Sequence, residues 1–147
     1  MAQGTVTVFN EAKKNILNGT IKIGSDTFKL LLVSDTSITA AQLTPDSSDF
    51  TEVTPIGTEY TTGGEALTLA VNTSSGGTGA QVDITTDIAL AKDTGGPTNI
   101  RYGIVYSTTA VSSDAIGFVD IGNGANVSLQ DGSLNITWGT NGMFEID

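Results

Sequence analysis

The chain has 147 residues, a formal net charge of −10 with only six Lys and Arg, and neither cysteine nor histidine. These absences exclude disulfides, thiolate and imidazole metal sites, cysteine nucleophiles and any triad that uses histidine as its base. The charge argues against a phosphate-backbone partner, which needs a basic footprint, and no run reaches the roughly 20 apolar residues that span a bilayer, so neither nucleic acid nor a membrane is an expected partner.

The length predicts a single β domain over 1–147, with too little chain for two independent cores. Met1 to Thr5 lacks the basic start and apolar run of a secretory signal, so synthesis in a cytoplasm is the expectation. Thr5–Phe9 alternates as a strand does. Asn10 is a good N-cap for a short helix over Glu11–Leu17, stopped by Asn18-Gly19. This helix is expected to act as a flap, and residues 1–19 as an N-terminal arm.

Thr20–Ile23 and Thr27–Val33 read as two strands around a Gly24–Asp26 turn, the second so continuously apolar that it should be covered on both faces. From Ser34 to Gly64 the pattern breaks, with Pro45, Pro55 and Gly57 as interruptions and acids at Asp46, Asp49 and Glu52, which predicts a long irregular loop. Glu65–Val71, Ala80–Ile84 and Asp87–Ala91 alternate, with a Gly-rich tip over 72–79. Ile100–Tyr106 and Ile116–Ile121 follow. Ala125–Leu129 and Leu134–Trp138 then form an expected hairpin around Gln130–Ser133, with Met143–Ile146 as a last strand. The predicted fold is all-β: an antiparallel β-sandwich or jelly-roll-like barrel with one short N-terminal helix.

The residues able to do chemistry are few. A glycosidase needs only two facing carboxylates, and Asp46 with Asp49, Asp83 with Asp87, and Asp114 with Asp120 are the available pairs; solvated loop acids are the plainer reading of each. Asp93-Thr94-Gly95-Gly96 and Asp120–Gly124 set oxygens beside glycines but lack the closing Glu of a calcium loop, so tight turns are expected there. The chain is read as a non-enzyme without metal or cofactor.

Thr27–Leu32, Tyr60-Thr61-Thr62-Gly63-Gly64-Glu65-Ala66-Leu67, Arg101–Tyr106, Ile116–Gly122 and Ile136-Thr137-Trp138 before Gly142-Met143-Phe144 together resemble a group of small structural proteins of tailed bacteriophages. The likeness runs from about Thr5 to Ile146, and its distinctive parts are the Tyr-Thr-x-Gly-Gly segment and the closing Trp segment. The resemblance implies a virion component, a decoration (cement) protein on the outside of the head. Its partners would be the major capsid protein and further copies of itself. On this reading the arm and the irregular loop clamp neighbouring capsid subunits, with Thr5, Val6, Phe9, Asp46, Asp49, Phe50 and Tyr60 as candidate partner-binding residues. The alternative is a tail or host-adhesion module that binds surface carbohydrate through Tyr60, Asp93 and Asn99.

Overall fold

The computed structural model describes residues 3–74, 76–139 and 142–146, with Gln3 and Gly4 described by backbone alone. Met1 and Ala2 of the expected arm, Ser75 of the Gly-rich tip and Asp147 at the end of the expected domain lie outside the described residues. The chain is all-β with one short helix. Its elements are β1 (Gln3–Gly4), β2 (Thr7–Val8), α1 (Asn10–Leu17), β3 (Phe28–Val33), a 3-10 turn (Ser47–Asp49), β4 (Glu65–Leu67), β5 (Leu69–Thr73), β6 (Ala80–Ile84), β7 (Ile88–Leu90), β8 (Tyr102–Ser107), β9 (Ala115–Asp120), β10 (Leu134–Trp138) and β11 (Phe144–Ile146).

Three sheets result, with strand orders β2-β9-β8-β3-β4, β11-β6-β5 and β1-β10-β7. Every pairing is antiparallel except β1 with β10. The apolar run of β3 occupies the second sheet position from one edge and pairs with β8 along its whole length, from Phe28 opposite Ser107 to Val33 opposite Tyr102. All six residues of β8 are buried, so the alternation that the sequence shows there does not separate an inner from a wet face. On the other side of β8, β9 receives β2 so closely that a Cβ at Gly117 would stand 2.6 Å from the Thr7 carbonyl oxygen. Only glycine admits that approach.

Five local expectations are corrected. Asn10 is the first helical residue and not the cap; the cap is Phe9, without a side-chain bond, and the Asn10 N–H donates to the Ala40 carbonyl at 2.8 Å. The helix is no loose flap, because Ala12 is wholly buried. Residues 20–23 form no strand: the Thr20 and Ile21 amides both donate to the Asn15 carbonyl, and Ile21 and Ile23 are buried from an irregular turn. Period-two burial needs no ladder partner, which is why the pattern misled.

The stretch read as one strand over Glu65–Val71 divides at Thr68, with β4 in the five-stranded sheet and β5 in another. At the division the Thr68 N–H donates to Thr86 Oγ1 and its carbonyl accepts from the Thr85 N–H, so the backbone stays paired while it changes sheets. The closing hairpin is also absent. Val127 bridges Ile100, the Leu129 N–H donates to the Pro97 carbonyl, and β10 pairs instead with β7, Leu134 opposite Leu90 and Ile136 opposite Ile88. Alternation fixes which face is buried and leaves the partner strand open.

Candidate functional site

The N-terminal stretch is built into the body. β1 and β2 are paired with β10 and β9, and the Phe9 N–H donates to the Ile116 carbonyl at 2.9 Å. Of the three residues expected there to touch a partner, Thr5 is exposed, Val6 is partly covered and Phe9 is fully buried. The Phe9 ring stacks on Phe50, centroids 6.1 Å apart and 27° from parallel, and lies 5.3 Å from Phe118, which meets Tyr102 edge-on. Phe9 and Phe50 therefore join the arm to the irregular loop and are not presented to a partner.

Asp46 and Asp49 serve local folding. Asp46 accepts from the Ser48 N–H and hydroxyl, while the Asp46 N–H donates to Asp49 Oδ2, a reciprocal cap on the 3-10 turn. This cap is pinned to the β8–β9 hairpin by an isolated bridge between Asp46 and Asp114 and by the Ser47 N–H donating to Ser113. The result is a depression of about 370 Å³ whose lining includes Asp46, Asp114, Glu11, Asn15 and Val111. Burial, followed by the Asp46 charge, raises the Asp114 carboxyl above the usual carboxylate range. Glu11 is paired with Lys14 at 2.8 Å.

Tyr60 is 2% exposed. Its hydroxyl donates to Glu52 Oε1 at 2.9 Å and accepts from the Leu32 N–H at 3.1 Å, which binds the loop to β3. Burial drives the phenol far above its ordinary range, against the Leu32 N–H, which favours the ionised form. The same Glu52 oxygen accepts from the Gly63 N–H, and the Tyr106 hydroxyl donates to the Gly63 carbonyl at 2.6 Å. Gly64, at φ +100°, lies against β3 where a Cβ would stand 2.6 Å from the Leu30 carbonyl oxygen. The distinctive Tyr-Thr-Thr-Gly-Gly-Glu run is thus a clamp between loop and central strand. Tyr60 has no face to offer a sugar or a capsid.

The other candidate acids fall the same way. Both Asp93 oxygens accept N–H donors, Gly95 on one and Thr58 and Glu59 on the other, so the turn closes on its own backbone. Those backbone N–H groups, Thr58 first, hold the Asp93 carboxyl below its usual range. Asp83 accepts from the Asn72 and Gln81 side chains, and Asp120 from the Gly124 N–H. Asp114 sits with Asp46 and not with Asp120.

Sequence reasoning passed over the exposed apolar residues: Val111 is 97% exposed, Leu43 81% and Leu17 80%. The signal was present, since Val111 sits alone in a Ser/Thr/Ala turn and Leu17 falls about 140° around the helix from buried Ala12. Comparison of the chain with family models, curated proteins and solved structures gives no match.

Proposed function

We propose that this chain is a virion structural protein of a tailed bacteriophage that decorates the outer surface of the head and stabilises it, with the major capsid protein as its partner. The observation that carries the reading is the engagement of its polar chemistry. Asp46 and Asp49 cap a turn, Asp93 ties two loop segments together and Glu52 with Tyr60 holds the loop to β3, which leaves exposed apolar points on an acidic surface as the working parts. The phage setting rests on the residues that carry the resemblance. A coat on the outer shell meets no genome, and it gains affinity by repeating one modest contact at many lattice points.

The contact surface in this proposal moves from the buried aromatics to the exposed groups of the loop, Asp49 and Leu43. Burial of Tyr60 takes away the aromatic on which the carbohydrate-binding alternative leaned. The test is co-sedimentation of the purified protein with heads and, separately, tails from particles lacking it. Saturable binding to heads at lattice stoichiometry is the expected result; binding to tails alone, or to neither, overturns the proposal.

A further inference from the structure

An apolar groove runs between the end of α1 and the sheet β11-β6-β5. It consists of two adjoining depressions of about 340 and 460 Å³ that share Ile16, Phe144 and Ile146. Leu17 and Val71 also line it, and with Ile146 they are mostly exposed. β11 is an edge strand, paired only with β6, so its outer backbone groups have no ladder partner among the described residues. Lys13 and Lys22 stand in the lining and make no ion pair among the described residues; Glu145 lines the same depression as Lys13. Two of six cations at one groove, in a chain of net charge −10, call for an occupant that is apolar and acidic.

The chain itself carries such an occupant. The β8–β9 hairpin ends in a turn whose apex, Val111, is 97% exposed. Asp114 and Asp46 flank it across the bridge that pins the loop, and Glu11 there is neutralised by Lys14. Asp46 and Asp114 face one another as like charges, an arrangement that a lysine from outside would relieve. At 100° per residue, Glu11 and Asn15 beside the turn lie on roughly the opposite side of α1 from Lys13 and Leu17 beside the groove.

We propose that the Val111 turn of one copy seats in the Lys13–Lys22 groove of a second copy, a head-to-tail contact between unlike surfaces. The inference deepens the decoration reading and rests on it for its setting, where neighbouring copies on a shell would meet side by side. A contact of this kind leaves a free turn at one end and a free groove at the other, so it propagates or closes into a ring. Its small apolar area makes it weak in solution and effective when copies are held close.

Sedimentation velocity of the full chain without heads tests it. The wild type should show a sedimentation coefficient that rises between about 10 µM and about 1 mM, the range in which weak contacts fill. Val111→Asp and Leu17→Asp, both at exposed positions that folding does not use, should each stay monomeric. Mixed in equal amounts they should form dimers and nothing larger, because one keeps its groove and the other its turn. A monomeric wild type, an associating single variant or a monomeric mixture would each overturn the contact. Head co-sedimentation of Val111→Asp keeps the two ideas separate, since a variant that still binds heads leaves decoration standing however the self-contact fares.

Discussion

Phe9 and Phe50 stack across 41 residues of sequence, so the N-terminal stretch and the irregular loop form one packing unit. The Phe9 ring also meets Phe118 of β9 at 5.3 Å, and a bridge from Asp46 to Asp114 joins the same loop to the β8–β9 hairpin. A clamp that swings free of the body is incompatible with this arrangement.

Phe9→Ala should therefore act on stability. Emptying a fully buried aromatic site costs about 3–5 kcal/mol, a large share of what a domain of this size holds. The expected result is a markedly lower urea midpoint, read from Trp138, whose half-buried indole donates to the Thr86 carbonyl at 2.7 Å. Deletion through Leu17 should leave no folded protein. A midpoint unchanged in Phe9→Ala would mean that the ring is not in the core.

Tyr60→Phe removes a donor to Glu52 and leaves the Leu32 N–H without its acceptor, at a cost of about 2 kcal/mol. The phenol also sets an alkaline limit. Its folded pKa is raised above the unfolded value, so its contribution is complete below about pH 10 and is lost as pH climbs past that point. Tyr106, raised chiefly by burial, has the same sign. Denaturation curves above pH 10 should fall less steeply in Tyr60→Phe than in the wild type.

Gly64→Ala tests the close approach of the clamp to β3. At φ +100° an L-residue is strained, and the added methyl meets the Leu30 backbone, which cannot yield without disturbing the central strand. A loss of more than about 2 kcal/mol is expected. Ala at Gly24, where nothing lies within 4 Å and φ is not positive, is the matched control and should be near neutral.

Asp93 works at the acid end. Its folded pKa is depressed by backbone N–H donors, so its contribution is present above the unfolded value near pH 3.9 and disappears as pH falls through the folded one. Asp93→Asn should flatten the acid limb of the stability curve. Hydrogen exchange at the Thr58, Glu59 and Gly95 amides, all of which donate to Asp93, should quicken in the same variant. An unchanged acid limb would show that the turn is held by other contacts.

The sequence by itself determined the class and most strand positions, because period-two burial and continuous apolar runs are local properties. β3, β6, β8 and β9 fall within a residue or two of where the pattern put them. Charge and composition likewise bounded the chemistry without any coordinates. Partner choice was beyond it: nothing local says that β10 pairs with β7, or that the chain changes sheets at Thr68. Nor does local pattern tell a buried aromatic from a presented one. Phe9, Phe50 and Tyr60 lie in breaker-rich or short-strand surroundings that read as surface, and only contacts made across tens of residues, Phe9 on Phe50 and Tyr60 on Leu32, place them inside. The exposed Val111 and the groove at Leu17 became visible for the same reason, since exposure is a property of what the rest of the chain fails to cover.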